Sequence, residues 1–77
     1  MNTIKIIYCN QWFSYEASRL EQELKTNFEE IVIKLEDGKT GQFTVFFNAE
    51  KIYNKMKWIG RLPKQMEITE IINKVSK

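Results

Sequence analysis

Alternating apolar and polar residues predict four short β-strands along the chain. Two of them, residues 3–8 and 31–35, are rich in β-branched residues and flank a long helical pattern. The other two, residues 42–48 and 51–58, are separated by a short reversal, which predicts a β-hairpin. The apolar positions of these strands share one face of the predicted sheet. They are Ile4, Ile6, Tyr8, Ile31, Ile33, Leu35, Phe43, Val45, Phe47, Ile52, Met56 and Trp58.

Apolar residues at helical spacing predict two helices. The apolar stripe of the first consists of Ala17, Leu20, Leu24 and Phe28. Ser14 is the predicted N-cap of this helix, because its hydroxyl oxygen can accept a hydrogen bond from a backbone N–H of the first turn. The second helix is predicted from Pro63 to about Val75, since proline suits the first helical position. Its apolar stripe consists of Ile68, Ile71, Ile72 and Val75.

The resulting order of elements, β-α-β-β-β-α, predicts a mixed four-stranded sheet. The strand–helix–strand start implies a right-handed crossover and a parallel pair, and the hairpin adds antiparallel strands. One face of the sheet is apolar and the other mostly charged, so both helices are expected on the apolar face. We therefore predict an α/β protein of the two-layer α+β sandwich type, with a single domain over residues 1–77.

Four apolar residues interrupt the charged face of the predicted sheet. They are Ile7, Val32, Phe46 and Tyr53. Because scattered exposed apolar residues are common in monomers, we expect a monomer. A weak dimer through this face is the alternative.

Composition and charge narrow the classes of function. The chain has one cysteine and no histidine, so it has neither a disulfide framework nor a zinc-type ligand cluster. Four basic and seven acidic residues occupy residues 1–37, against eight and three in residues 38–77. The basic half can attract an anion but lacks the charge density of a nucleic-acid surface. With no signal segment and no membrane-length apolar run, we expect a cytoplasmic protein without nucleic-acid or membrane partners.

Cys9 occupies the junction between the first strand and the first helix. Backbone N–H groups and the helix dipole favour negative charge at a helix start, which predicts a thiol that ionises more easily than usual. The alternative is a small buried residue at a strand end, since free cysteine is often fully buried. Both interpretations stay open at this point.

Several segments, in order, resemble one known family. Tyr8-Cys9 ends the first strand, ASRLEQEL occupies residues 17–24, GQFTV opens the hairpin at residues 41–45, and GRLP stands at residues 60–63. Together these segments resemble the selenoprotein W/T/H, or Rdx, family of thioredoxin-like proteins, over essentially the whole chain. The resemblance implies a thioredoxin-like sheet and a redox function.

The resemblance also implies a role for Cys9. The family has Cys-x-x-Cys or Cys-x-x-selenocysteine after its first strand, and Cys9 matches the first position whereas Trp12 occupies the second. A dithiol–disulfide cycle within this chain is therefore excluded. What remains is monothiol chemistry, in which Cys9 forms a mixed disulfide with glutathione or with the thiol of a partner protein, or a sulfenic acid.

Further residues are candidates for binding around this thiol. They are Asn10, Gln11, Trp12, Gly41, Gly60 and Arg61. Gly41 permits close backbone approach to the Cys9 loop, although a plain turn needs glycine equally. Arg61, together with Lys64, is a candidate for holding glutathione carboxylates, with a solvated surface as the alternative. No metal or resident cofactor is expected, and glutathione would be a co-substrate.

A second function of a different class is consistent with the same residues. A non-catalytic module could keep the redox fold and recognise another protein through the Cys9–Phe13 loop. Trp12 is a candidate aromatic anchor for such a partner, whereas Phe13 and Trp58 are predicted to belong to the core.

Overall fold

The computed structural model describes residues 2–55 and 61–75. The elements follow the predicted order, which is confirmed. They are β1 (Asn2–Tyr8), α1 (Asn10–Asn27), β2 (Ile31–Asp37), β3 (Phe43–Phe47), β4 (Glu50–Lys55) and α2 (Glu67–Val75).

The strands form one mixed sheet in the order β2-β1-β3-β4. β1 lies inside the sheet, parallel to β2 and antiparallel to β3, and β3 and β4 form the predicted hairpin. The hairpin reverses through Asn48 and Ala49, whose φ angles of 49° and 73° are left-handed. Two consecutive left-handed residues are typical of the tight turns that match the twist of paired strands.

The hydrophobic core lies between one face of the sheet and the two helices. Its buried residues are Ile4, Ile6, Cys9, Phe13, Ala17, Leu20, Leu24, Phe43, Val45, Phe47, Ile68 and Ile72. The predicted faces of β1 and β3 and most of the two helical stripes are therefore confirmed. Two apolar positions predicted to face inward, Leu35 and Val75, are instead exposed at the ends of their elements.

β4 departs from the predicted alternation because the hairpin contains a bulge. The register shifts between Val45 and Phe46, so Tyr53 pairs with Val45, which faces the core. Tyr53 and Ile52 both pack against the core, and the prediction that Tyr53 faces outward is wrong. An extra residue on one strand breaks strict alternation. Met56 and Trp58, predicted to face inward, lie outside the described residues.

Both helices begin at positions different from those predicted. α1 starts at Asn10 with Cys9 as its N-cap residue, so Ser14 lies inside the helix. Phe13, with φ −126° and ψ 20°, interrupts the helical conformation, and only after it does the helix continue regularly. α2 starts at Glu67 rather than Pro63, because the left-handed φ of 68° at Met66 is incompatible with a helix.

A carboxylate of α1 holds the start of α2. Glu23 accepts one hydrogen bond from the Met66 backbone N–H at 2.9 Å and another from the Thr69 hydroxyl at 2.8 Å. Thr69 is buried. This contact fixes α2 against α1 on the helical side of the sheet. Neither helix is long and apolar enough to cross a membrane, as judged over residues 2–55 and 61–75.

Candidate functional site

Cys9 directly follows β1, and backbone hydrogen bonds to both neighbouring segments fix this end of the strand. Its backbone N–H donates to the Gln42 carbonyl oxygen at 2.8 Å, which extends the pairing of β1 with β3. On the other side, the Gly38 N–H donates to the Tyr8 carbonyl oxygen at 2.7 Å, which extends the pairing with β2. The position of the thiol is therefore set by backbone bonds to both neighbouring strands.

Cys9 is almost fully buried, and its surroundings nevertheless lower the pKa of its thiol. Only 5% of the residue is exposed, and it is a free cysteine. The backbone N–H of Gly41 makes the largest contribution to lowering its pKa below the ordinary value. Burial opposes this effect, and the N–H groups of Trp12 and Gln11 add to it. Because the Cys9 side chain makes no capping hydrogen bond, we attribute the contribution of these two helical amides to their dipoles.

Gly41 brings its amide to the thiol through a conformation that favours glycine. Its φ of 78° is left-handed, and the residue is buried. The turn that contains Gly41 closes with a hydrogen bond of 3.0 Å from the Gln42 N–H to the Lys39 carbonyl oxygen. Gly41 thus combines the two alternatives raised by the sequence, since it makes a turn and also approaches Cys9 closely.

The first turn of α1 forms an exposed rim beside the buried thiol. Asn10, Gln11 and Trp12 are all exposed, and Trp12 is 47% exposed. The N–H groups of Trp12 and Phe13 donate to the Cys9 carbonyl oxygen at 3.1 and 2.8 Å, which closes this turn. The peptide dipoles of the turn therefore point their positive ends toward the junction.

Phe13 anchors this rim to the core. Its ring is buried and packs edge-on against Phe43, with ring centroids 6.0 Å apart, so the prediction of a core role is confirmed. The exposed Trp12 ring packs edge-on against Phe13 at 6.1 Å. An aromatic series therefore runs from the core to the surface beside Cys9.

Arg61 is engaged away from these contacts. Its guanidinium forms a two-pronged ion pair with Glu67, at 2.8 and 3.2 Å, and donates to the Leu62 carbonyl oxygen at 3.1 Å. The Tyr53 hydroxyl donates to the Arg61 carbonyl oxygen. Lys64 has an exposed side chain, and its backbone N–H donates to Glu67 at 2.9 Å. Gly60 lies outside the described residues.

Two residues of the site are missing from the sequence-based prediction. Gln42 binds the Cys9 N–H through its carbonyl oxygen, and its side chain accepts from the Lys39 N–H at 2.9 Å. Lys55 places its ammonium 5.1 Å from the centre of the Phe13 ring. Any residue type could make the backbone contact of Gln42, so the sequence does not indicate it. The direction of the Lys55 side chain depends on the bulge. Placing Gln42 required the register of β1 with β3, and placing Lys55 required the register of the hairpin.

The chemistry that this site offers is that of a thiol. Within residues 2–55 and 61–75, no group of three or more histidine, cysteine, aspartate or glutamate side chains is arranged to hold a metal ion. A two-layer domain with its thiol between the first strand and the first helix defines the class, that of thioredoxin-like, redox-related proteins. The chain belongs to the Rdx family, whose family model matches residues 3–74.

Solved structures support the same assignment. A selenoprotein W-related protein from Vibrio cholerae is 28% identical, and the match has a TM-score of 0.86 and covers 99% of this chain and 98% of that one. A protein from Bordetella parapertussis is 22% identical, with a TM-score of 0.81 and 96% of each chain covered, which shows the fold alone. A comparison with curated proteins gives no match. The thioredoxin-like fold predicted from the sequence is confirmed.

Proposed function

We propose that this protein is a monothiol redox protein in which Cys9 carries out thiol–disulfide exchange. The observation that carries the proposal is the lowered pKa of Cys9, caused mainly by the Gly41 N–H. The thiolate is the nucleophile in such exchange, so a lower pKa raises the reactive fraction near neutral pH. A cytoplasmic location, which we propose with it, would keep this thiol reduced between reactions.

The proposed reaction has two steps. In each step one disulfide bond forms as another breaks, so no further oxidant is needed. The Cys9 thiolate attacks one sulfur of glutathione disulfide or of a protein disulfide. A Cys9–sulfur bond forms, the substrate disulfide breaks, and the second sulfur leaves as a thiolate. A thiol from outside the chain then attacks the substrate sulfur of the mixed disulfide, forms a new disulfide with it and releases Cys9 as a thiolate. The attacking thiol must come from outside because Trp12 offers no second thiol.

Access to the sulfur requires a local movement. Cys9 is 5% exposed, and Asn10, Gln11 and Trp12 follow it in the exposed first turn of α1. The non-helical Phe13 separates this turn from the rest of α1. Moving one turn outward would expose the sulfur without disturbing β1. The exposed residues of this turn would then contact the substrate.

The rate of Cys9 alkylation as a function of pH tests the proposal most directly. We expect a titration midpoint below about 8.5, the value of an unperturbed cysteine. Mass spectrometry after incubation with glutathione disulfide should show one glutathione adduct, which a Cys9→Ser variant lacks. An unreactive thiol, or a normal midpoint with no adduct, would contradict the proposal.

A non-catalytic binding module is a second candidate, favoured by the exposed Trp12 beside a covered Cys9. In that function the aromatic rim would be the contact surface for another protein. The two functions respond oppositely to substitution. Cys9→Ser would abolish the redox function but leave binding intact, whereas Trp12→Ala would weaken binding and leave alkylation of Cys9 possible.

A further inference from the structure

β2 is an edge strand, and its outer side pairs with no other strand within residues 2–55 and 61–75. It pairs only with β1 in the sheet order β2-β1-β3-β4. Residues 34–37 are all exposed, including Leu35 at 37%. The seven residues of β2 keep a continuous parallel register with β1, without a bulge or a proline. Such a strand offers unpaired backbone groups to another chain unless something covers it.

The hydrogen-bond pattern shows which backbone groups of β2 point outward. The Gly38 N–H donates to the Tyr8 carbonyl oxygen, so Gly38 points its backbone toward β1. Because these directions alternate along a strand, Val32, Lys34 and Glu36 do the same. The four odd-numbered residues therefore point their N–H and C=O groups to the free edge. They are Ile31, Ile33, Leu35 and Asp37.

One antiparallel register pairs β2 with a second copy of itself through both backbone and charge. Centred on Leu35, it places Leu35 opposite Leu35 of the second copy, with their outward backbone groups facing each other. It also places Lys34 opposite Glu36 of the second copy, twice by symmetry. A register centred on Lys34 would oppose two lysines, and one centred on Ile33 would oppose Lys34 and Val32.

The charges within one copy favour the register centred on Leu35. Lys5 and Lys34 are directly paired in the sheet, and like charges in that arrangement repel. Glu36 forms an ion pair with Lys5 at 3.8 Å, whereas Lys34 has no ion pair among the described residues. Glu36 of a second copy would supply the counter-charge that Lys34 lacks.

We propose that β2 is a homodimerisation edge, where two copies join their sheets antiparallel about Leu35. Leu35, which is only partly covered in one copy, then packs against its equivalent. The interface is isologous, so one edge serves both copies and the assembly closes at two. A single strand pair buries less area than a standard stable interface, so the dimer is weak and forms at high protein concentration. This inference is independent of the chemistry of Cys9.

Exchanging the two charges tests both the dimer and its register. Lys34→Glu places Glu against Glu36 across the two-fold axis, and Glu36→Lys places Lys against Lys34, so each variant alone should dissociate. A mixture of the two variants restores both ion pairs. Sedimentation equilibrium with a thiol reductant present should show the mixture associating about tenfold more tightly than either variant alone.

Controls separate this effect from net charge and from misfolding. Lys74→Glu changes the net charge as Lys34→Glu does, but on the exposed side of α2, and should leave association unchanged. Circular dichroism of each variant should match that of the parent chain. Sedimentation as a monomer up to ~1 mM, a concentration at which even weak interfaces associate, would overturn the proposal. So would a dimer unaffected by the charge exchange.

Discussion

At the scale of single residues, the site depends on the relation between Cys9 and Gly41. The two residues are far apart in sequence, and β1 and β3 bring them together through the bond from the Cys9 N–H to Gln42. The left-handed φ of Gly41 then directs its own N–H toward the sulfur. The pKa of the Cys9 thiol therefore depends on the backbone amide of Gly41 and not on a side chain.

The first prediction is that Gly41→Ala raises the pKa of Cys9 and slows its alkylation at neutral pH. Alanine in a left-handed conformation costs about 1 kcal/mol, and relief of that strain moves the amide away from the sulfur. The pH profile of alkylation measures the shift. Thr40→Ala, an exposed neighbour in the same turn, is the control and should leave the profile unchanged. Identical profiles for both variants would show that the Gly41 amide does not stabilise the thiolate.

At the scale of elements, the start of α2 is held by two carboxylates. Glu67, its first residue, accepts hydrogen bonds from Arg61 and from the Lys64 N–H. Glu23 of α1 binds the Met66 N–H and Thr69. Two carboxylates therefore satisfy backbone and side-chain donors near a helix N-terminus, where negative charge is favoured.

The second prediction concerns the dependence of stability on pH. The Arg61 guanidinium, followed by the Lys64 N–H, holds the pKa of Glu67 below its usual range. A lowered folded-state pKa contributes stability above the unfolded value of about 4.3, and that stability disappears as pH falls through the folded-state pKa. Glu67→Gln should therefore lower the free energy of unfolding at pH 7, by up to about 1 kcal/mol since Arg61 is exposed.

Chemical denaturation of the parent and Glu67→Gln at pH 7 and at pH 3 measures this difference. It should be present at pH 7 and smaller at pH 3, below the unfolded-state pKa. Glu70→Gln, an exposed substitution in the first turn of the same helix, is the control and should show a smaller difference at pH 7. A Glu67→Gln effect that persists undiminished at pH 3 would exclude ionisation as its cause.

The element order could be predicted from the sequence because periodicity reports which side of each element is buried. The boundaries could not. Phe13 interrupts α1 at the residue whose ring packs on Phe43, and α2 begins only after Met66, whose backbone N–H donates to Glu23. These are tertiary effects that override local preference. The bulge that turns Tyr53 inward is also a tertiary effect, because it depends on the pairing of β3 with β4.

For the site, residue type and position were sufficient to predict the thiol and its place before a helix. For Gly41 they left two alternatives open, a plain turn and a close approach to Cys9. They were insufficient for Arg61, whose ion pair with Glu67 depends on where the chain between β4 and α2 runs. They were also insufficient for Gln42, which acts through its backbone.

At the scale of the whole molecule, stability depends on a small core that both helices complete. A chain of 77 residues is expected to have about 4 to 12 kcal/mol of total stability. α2 contributes two almost fully buried side chains, Ile68 and Ile72, to the core. One side chain of that kind accounts for a large share of the total. The short α2 therefore contributes substantially to the stability of the fold.

The third prediction is that Ile68→Ala destabilises the protein by about 2 to 5 kcal/mol, through lost burial and a cavity under α2. Ile71→Ala, on the same helix but only partly buried, is the control and should cost less than half as much. Urea denaturation monitored by circular dichroism measures both. Equal losses of unfolding free energy in the two variants would show that burial against the sheet does not determine how much each α2 side chain stabilises the protein.

The clamping of Cys9 between both neighbouring strands has a consequence for how the protein reacts. β1 has a neighbour on each side, so its hydrogen bonds are expected to open only when the whole sheet opens. The first turn of α1, residues 10–12, lies between Cys9 and the interruption at Phe13 and can fray separately. We therefore expect two different opening free energies at Cys9. Exposing its backbone amide requires the whole sheet to open, whereas exposing its sulfur requires only the first helical turn to open. A thiol arranged in this way stays fixed in place while it is intermittently presented to solvent.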